Sequence, residues 1–243
     1  MEMRMDKKFA AIVLSAGTGS RMKSDIPKQY MDLNGKPVIY YSLKAFEESP
    51  VSSIVLVTGK DDVEYCKKEI VEKYQFGKVV AVVAGGKERY DSVYQGLLQL
   101  NRSDELLADY VMVHDGARPM VDQGIIKKSI ECLEKEQACV VAVPVKDTIK
   151  IADENGYVSS TPSRETLWSV QTPQSFSFSL LKQSYEKVYR DMEEGKELPL
   201  ITDDAMVVSY ASEQKVKFVM GDYCNIKITT PEDINIAKMM LEG

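Results

Sequence analysis

Residues able to bind phosphate groups are concentrated near the start of the chain. Gly17 and Gly19 lie in a loop of small residues, and the cations Arg21 and Lys28 follow shortly after. Glycine lets backbone N–H groups approach a ligand closely, and cations on irregular backbone can then hold the charge of a phosphate chain. The pattern therefore predicts a binding site for a triphosphate.

Two well-known phosphate-binding loops do not match this stretch. The dinucleotide-binding fingerprint needs a third glycine where Met22 stands, and the P-loop needs Gly-Lys before Ser or Thr, whereas Gly35-Lys36 is followed by Pro37. A hydride-transferring Rossmann enzyme is therefore disfavoured. Because Gly-x-Gly after a strand is a weak signal alone, an ordinary tight turn with solvated cations remains open at this point.

A second glycine loop precedes a predicted helix. Gly85 and Gly86 come directly after an apolar run, and Ser92 lies about two helical turns further on. This loop could read a nucleotide base, or it could simply cap the helix.

The segment His114–Pro119 ends another apolar run and places Asp115 close to Arg118. The carboxylate could hold Mg²⁺ against phosphate oxygens, or it could pair with the arginine and brace a turn. His114 is the single histidine of the chain, and at the end of a buried strand we expect it to be packed rather than to act as a base.

Three later segments carry further candidate residues. Lys227 lies in Asn225–Ile228, which we predict to be a strand, and a lysine there is costly unless it meets an anion or a carboxylate. The segment Lys146–Thr148 and Arg164 could reach a second ligand, since arginine suits bidentate phosphate binding. We predict a turn at Gln171–Gln174.

Strand-like and helix-like segments alternate along the chain. The predicted strands are 9–14, 53–58, 79–84, 110–114, 138–144, 167–170, 215–220 and 225–228, and the predicted helices are 37–48, 61–74, 90–100, 123–135, 177–192, 203–211 and 231–241. Repeated βα pairs predict an α/β fold of Rossmann-like type, a mostly parallel twisted sheet with helices on both faces and ligands at the carboxyl ends of its strands.

The βα pattern is interrupted by a predicted β-arm at 145–165. Two short alternating segments flank Asn155-Gly156, which is a strong hairpin signal. An isolated two-stranded hairpin is marginal in water and cannot bury its own apolar residues. We therefore expect two subunits to clasp arms in an isologous homodimer.

Composition narrows the class of protein. With 243 residues, 44% hydrophobic and 28% charged, we expect one globular domain over residues 1–243. The net charge of −6 argues against a nucleic-acid or anionic-membrane surface. Met1–Lys8 is a short charged lead, and no long apolar run appears, so we expect the chain to stay in the cytoplasm. The four cysteines form no Cys-x-x-Cys pair, which indicates free thiols.

The motifs occur in a fixed order along nearly the whole chain. They are Ala16–Met22, Pro27–Tyr30, Gly86–Ser92, His114–Pro119, Pro144–Thr148, Arg164 with Leu167-Trp168, Thr172–Gln174, Thr202–Ala205 and Asn225–Lys227. In this order and spacing they resemble the 2-C-methyl-D-erythritol 4-phosphate cytidylyltransferase family of isoprenoid precursor synthesis. The chain departs from the family at Lys146, where arginine is common, and at Gly116, where alanine is frequent.

The resemblance implies transfer of a cytidylyl group from CTP to 2-C-methyl-D-erythritol 4-phosphate, with release of pyrophosphate and with Mg²⁺ as cofactor. It implies that Arg21, Lys28 and Lys227 stabilise charge on the phosphates. It implies nucleotide contacts from Ala16, Gly17, Gly19, Gly86, Ser92, Asp115 and Gly116, with Asp115 also supporting the metal. Finally, it implies that Thr148, Arg164 and Thr172 bind the sugar phosphate, partly across the dimer interface.

Two other functions compete with this one. A ribitol 5-phosphate cytidylyltransferase would share the nucleotide half, but the segments Asp147–Lys150 and Arg164–Trp168 look more like the methylerythritol enzyme. A non-catalytic nucleotide-binding module would not need several cations converging on one phosphate.

Overall fold

The computed structural model describes residues 7–17, 26–101 and 108–242. The predicted site residues Gly19 and Arg21 lie outside these ranges, so their roles stay predictions. The strands, in chain order, are β1 (Phe9–Ser15), β2 (Asp32–Leu33), β3 (Lys36–Pro37), β4 (Ser53–Thr58), β5 (Val79–Ala84), β6 (Tyr110–Asp115), β7 (Ala138–Pro144), β8 (Ile151–Ala152), β9 (Val158–Ser160), β10 (Trp168–Ser177) and β11 (Lys217–Met220). The helices are α1 (Val38–Glu47), α2 (Val63–Tyr65), α3 (Arg89–Leu100), α4 (Gln123–Leu133), α5 (Phe178–Glu193), α6 (Asp204–Ala211) and α7 (Pro231–Glu242).

A seven-stranded sheet with the order β11-β7-β10-β6-β1-β4-β5 positions the site. Strands β6, β1, β4 and β5 are parallel to one another, and β11 is parallel to β7, whereas β10 runs antiparallel to both β6 and β7. The predicted α/β fold with a mostly parallel sheet is confirmed. The carboxyl ends of β1, β5 and β6 therefore meet at one edge, where ligands of such sheets bind.

Strand β1 is buried on both faces because helices cover both sides of the sheet. Ala11 and Val13 belong to a core cluster that includes residues of α1 and α4. Ala10 and Ile12 point the other way, into a cluster that includes residues of α3 and α5. All four side chains are fully buried, which explains why this strand is a continuous apolar run rather than an alternating one.

The prediction of a turn at Gln171–Gln174 is wrong, because this segment lies inside β10. Its pairing with β7 shifts register between Val170 and Gln174, so that Pro173 sits at an irregular point of the ladder. Proline is tolerated in a strand at such bulges, where it removes no ladder hydrogen bond.

The strand predicted at Asn225–Ile228 is also wrong, since this segment forms no ladder with another strand. It is a loop, fixed by a hydrogen bond from Ile228 N to Ala117 O at 2.8 Å. Lys227 is therefore not inside a sheet, and its side chain is free to turn towards the edge where β6 ends.

Two smaller elements differ from the sequence prediction. The single helix predicted at 61–74 is instead a 3₁₀ turn (Lys60–Asp62), the short α2 and a π-helix (Cys66–Glu72). The hairpin of β2 and β3 was not predicted, although its Asn34-Gly35 turn is a recognisable signal: both residues have positive φ, of 50° and 78°.

The arm contains the short antiparallel pair β8 and β9, with Gly156 at a φ of +84° in the connecting turn. The Asp153 side chain stabilises the turn by accepting hydrogen bonds from the N–H groups of Asn155 and Tyr157. Apolar side chains of the arm face solvent, since Ile151 is 51%, Val158 63% and Tyr157 73% exposed. In the described part of the chain, no helix has the length and apolar character needed to cross a membrane.

Candidate active site

An open cleft of about 670 Å³ lies at the carboxyl ends of β1, β5 and β6. The structure brings seven of the predicted site residues to its wall: Ala16, Gly17, Lys28, Gly86, Ser92, Asp115 and Lys227. Four segments far apart in the sequence, at 16–28, 86–92, 115 and 227, thus meet at the sheet edge that the βα pattern predicts.

Gln29 holds the loop after β1 against the turn that carries Lys28. The Gln29 side chain is buried, and its Nε2 donates to Ser15 O at 2.7 Å and to Gly17 O at 3.3 Å. The next residue, Tyr30, lies with its hydroxyl 3.0 Å from Thr58 Oγ1 at the end of β4. These polar contacts therefore fix the loop after β1 and the turn at Lys28–Tyr30 relative to each other and to the end of β4.

The glycine loop after β5 is organised by the start of α3. Gly86 N donates to Ser92 Oγ at 3.2 Å, and Glu88 and Asp91 form a reciprocal capping box. A Cβ at Gly86 would collide with Asp91, while one at Gly85 would lie 2.5 Å from Ser92 Oγ. A side chain at either position would thus collide with residues at the start of α3. Without side chains, the two glycines leave the backbone of the loop exposed to the cleft.

Two cations hold the Asp115 carboxylate at the end of β6. Lys227 Nζ is 2.7 Å from Oδ2, and Arg89 Nε is 3.3 Å from Oδ1. Burial alone would raise the pKa of this carboxyl, but the charges of Arg89 and Lys227 outweigh that cost and keep the pKa well below its usual range. Asp115 is therefore an ionised oxygen donor at the cleft wall, and Lys227 meets a carboxylate although it does not lie in the predicted strand.

His114 and Thr172 form a buried layer behind Asp115. Thr172 Oγ1 accepts from Asp115 N at 3.1 Å and lies 3.0 Å from His114 Nδ1, while His114 Nε2 lies 3.2 Å from Arg118 O. Burial lowers the pKa of His114 to about 4, so the ring is neutral at pH 7. An Nε2–H that donates to the Arg118 carbonyl leaves Nδ1 to accept from the Thr172 hydroxyl.

Two residues predicted to contact ligands are thus found behind the cleft wall. Thr172 is only 4% exposed, and its hydroxyl faces His114 and the Asp115 amide. Gly116 is buried; its N–H donates to Leu14 O at 2.8 Å, and an added Cβ would collide with Ile39. Neither residue lines the cleft.

A second hollow, of about 930 Å³, adjoins the cleft at the base of the arm. Its wall includes Arg118, Lys146, Gln171 and Tyr223, and the Lys146 ammonium lies 3.5 Å from the centre of the Tyr223 ring. Lys227 lines both cavities. A ligand in each would therefore meet at this one ammonium group.

The structure does not bring Thr148 and Arg164 to either cavity of their own chain. Both are exposed on the arm, and Arg164 Nη1 donates to Lys146 O at 2.8 Å. Their ligand contacts stay predictions.

The cleft fits Mg²⁺ brought by a nucleotide better than a metal held by protein alone. Among the described residues, no group of three or more His, Cys, Asp and Glu side chains could hold a metal ion. Mg²⁺ in nucleotide enzymes, however, usually takes one or two carboxylates together with phosphates and water. The ionised Asp115 carboxylate supplies one such oxygen donor.

The sequence model of the 2-C-methyl-D-erythritol 4-phosphate cytidylyltransferase (IspD) family matches residues 9–243. The chain belongs to this family. The cytidylyltransferase of Lachnospira eligens is 53% identical, over 96% of this chain and 99% of its own length. The cytidylyltransferase of Lachnoclostridium phytofermentans is 47% identical, over 97% of each chain.

Solved structures of IspD proteins also resemble the chain. The 4-diphosphocytidyl-2C-methyl-D-erythritol synthase of Anaerococcus prevotii superposes with a TM-score of 0.81 at 35% identity, covering 98% of this chain and 97% of its own. The enzyme of Francisella tularensis gives a TM-score of 0.76 at 30% identity, covering 96% and 99%. The resemblance inferred from the motifs is confirmed.

Sequence reasoning missed the residues that connect the IspD motifs to one another. Gln29, Arg89 and Asp204 all lie in motifs of the family pattern, but the sequence analysis assigns no role to any of them. The signal available for Gln29 was its place between two phosphate-binding segments. For Arg89 and Asp204, the sequence contains no sign that they meet.

Proposed function

We propose that this chain transfers the cytidylyl group of CTP to 2-C-methyl-D-erythritol 4-phosphate and releases pyrophosphate. The observation that carries the proposal is the junction of two cavities at Lys227, with Lys28 and the Gly86–Ser92 loop on the nucleotide side. Membership of the IspD family supports the same reaction.

In this proposal CTP occupies the cleft. The backbone at Gly86 and the Ser92 side chain read the cytosine, and the loop at Ala16 and Gly17 holds the ribose and phosphates. Lys28 and Lys227 flank the cleft that would receive the triphosphate. Their charges stabilise the negative charge that develops around the reacting phosphorus, together with Arg21.

The reaction needs no general base. A phosphate monoester is already an anionic nucleophile at pH 7, so the second substrate can attack the α-phosphorus of CTP in line and expel pyrophosphate. His114 is consistent with this proposal, because its ring is fully buried and faces Thr172 and the Arg118 carbonyl. Catalysis then consists of positioning and charge stabilisation.

Mg²⁺ would be held by Asp115 and by the phosphates of CTP. When bound, it supplies neutralisation of phosphate charge. Asp115 also acts independently of Mg²⁺. Its Oδ2 accepts a hydrogen bond from the Lys227 ammonium and so fixes that group between the two cavities.

The second substrate occupies the hollow at the arm base, next to Lys227 and Lys146. Thr148 and Arg164 reach the polyol phosphate of the partner subunit in an isologous dimer. The exposed apolar side chains of the arm support this assembly, because they are buried only when another surface covers them.

Pyrophosphate release tests the proposal directly. The chain is incubated with CTP, Mg²⁺ and either 2-C-methyl-D-erythritol 4-phosphate or ribitol 5-phosphate. We expect rapid release with the methylerythritol substrate and little with ribitol 5-phosphate. Release with ribitol 5-phosphate alone would assign the sister activity, and binding of CTP without release in either case would assign a non-catalytic module.

A further inference from the structure

Arg89, on the wall of the nucleotide cleft, connects two buried carboxylates. Its Nε is 3.3 Å from Asp115 Oδ1, and its Nη2 is 2.8 Å from Asp204 Oδ2. The Asp204 side chain is fully buried, and that of Asp115 is 11% exposed. A planar guanidinium can meet two carboxylates at once through different nitrogens, which an ammonium cannot do with the same geometry.

Asp204 is itself held from behind, so it provides a fixed anchor. The Tyr185 hydroxyl donates to Asp204 Oδ1 at 2.7 Å, which leaves Oδ2 to accept from Arg89. The adjacent Ala205 N donates to Gln174 Oε1 at 3.0 Å and ties the start of α6 to β10.

The two oxygens of Asp115 have different partners. Oδ1 faces Arg89, and Oδ2 accepts from Lys227 at 2.7 Å. The Lys227 ammonium lies where the two cavities join. The orientation of the Asp115 carboxylate therefore determines the position of the Lys227 ammonium group.

We propose that Arg89 is a positioning residue for the transfer reaction: anchored by Asp204, it fixes the Asp115 carboxylate in the orientation that holds Lys227 between the two substrates. The inference rests on the proposed function. It assigns Arg89 an effect on turnover that acts through Asp115 and Lys227, not a contact with the reacting atoms.

The test compares Arg89→Lys with Asp204→Asn. Lysine at 89 keeps the positive charge of the cleft but cannot hold both carboxylates, and asparagine at 204 removes the anionic anchor without touching the cleft. For each variant kcat is measured by pyrophosphate release, the Kd for CTP by calorimetry, and Tm by thermal unfolding. We expect Arg89→Lys to lower kcat by on the order of 10²-fold, the effect of a small misplacement of a catalytic group, and the Kd for CTP to stay near the wild-type value.

Two control variants separate positioning from stability. Asp191 is a similarly buried carboxylate at the end of α5 that accepts from Lys187, Lys196 and the Tyr210 hydroxyl, and it lines neither cavity. Asp191→Asn should lower Tm without changing kcat. Tyr185→Phe removes one hydrogen bond to Asp204 but keeps the contact with Arg89, and it should change kcat much less than Asp204→Asn.

The Arg89→Lys/Asp204→Asn double variant should lose little more kcat than Arg89→Lys alone, since both substitutions act on one contact.

A kcat for Arg89→Lys and Asp204→Asn that matches that of Asp191→Asn would overturn the inference and assign the pair to stability alone. A Kd for CTP that weakens in step with kcat would also overturn it, because Arg89 would then bind the nucleotide. If Arg89→Lys does not fold, the kcat of Asp204→Asn is compared with that of Asp191→Asn, and the same two outcomes decide between positioning and stability. A wild-type chain that releases no pyrophosphate overturns the proposed function, and this inference with it.

Discussion

The cleft and the arm hold their side chains in opposite ways. In the cleft, Lys227 meets Asp115 at 2.7 Å, and Gln29 ties the loop after β1 to the turn before β2. On the arm, Tyr157 and Val158 are more than half exposed. The cleft contacts lie within one chain, whereas the apolar side chains of the arm would be buried only by a second surface.

Lys28→Ala is expected to have the largest effect. If Lys28 stabilises charge in the transition state as proposed, removing this charge should lower kcat by about 10²- to 10³-fold. Tm should stay near the wild-type value because the side chain is only half-buried at the cleft wall. Steady-state kinetics and thermal unfolding measure both. Lys127→Ala, on the exposed face of α4, is the matched control. Near-normal turnover of Lys28→Ala would remove Lys28 from the mechanism.

The pH dependence of the free energy of unfolding tests whether His114 is buried in its neutral form behind the cleft. The folded pKa of His114 is about 4, against about 6.5 in an unfolded chain, so only the unfolded state binds a proton between these values. Stability should be complete above pH 6.5 and should fall by about 3 kcal/mol as the pH drops to 4. Urea unfolding at a series of pH values measures this loss.

Because His114 is the single histidine, His114→Gln supplies the control for that titration. The variant should be less stable at pH 7 but should lose much less stability between pH 6.5 and 4.5. An unchanged slope in the variant would show that other groups cause the loss.

Arg164→Ala probes the arm. If Arg164 binds the phosphate of the polyol substrate in the partner, losing this charged contact should raise the KM for that substrate roughly 10-fold and leave the KM for CTP unchanged. Mixing Arg164→Ala with Lys28→Ala subunits should restore activity, since one composite site of a mixed dimer carries both lesions and the other carries neither.

The same mixing experiment can contradict the proposal that the arm acts on a second subunit. Subunits that exchange but stay as inactive as their parents would exclude a shared site. A chain that sediments as a monomer at micromolar concentration would exclude the clasped arms altogether.

Ser92→Ala should have the smallest effect of the four. It removes the hydrogen bond that Gly86 N donates to Ser92 Oγ and so loosens the base-reading loop, which should raise the KM for CTP several-fold, as one net hydrogen bond allows. The ratio of kcat/KM for CTP and UTP should fall with it. Ser129→Ala removes a buried serine hydroxyl within α4 and should alter neither value.

The sequence predicts the sheet and the cleft because both depend on local patterns. Apolar runs such as Phe9–Ser15 identify the buried strands, and parallel strands must end at one edge. Gln171–Gln174 was misread because Thr-Pro normally marks a turn, and only the pairing of β10 with two neighbours overrides it.

The parts of the site that could not be predicted depend on distant pairings. Arg89 and Asp204 lie far apart in the chain, and nothing in either segment indicates its partner. Thr172 belongs to a motif of the family pattern, and its hydroxyl supports His114 and the Asp115 amide. Its substrate contact stays a prediction. Motifs locate a functional segment but do not tell which of its side chains face the ligand.

Strand β10 connects the arm to the cleft. It begins at Trp168, next to the arm, and reaches Thr172 about 13 Å further on, at the ordinary rise of a strand. Thr172 in turn accepts from the backbone N–H of Asp115. One strand therefore connects the base of the arm to the residue that supports Asp115. If a partner subunit binds the arm as proposed, we expect the position of the arm to affect the geometry of the cleft.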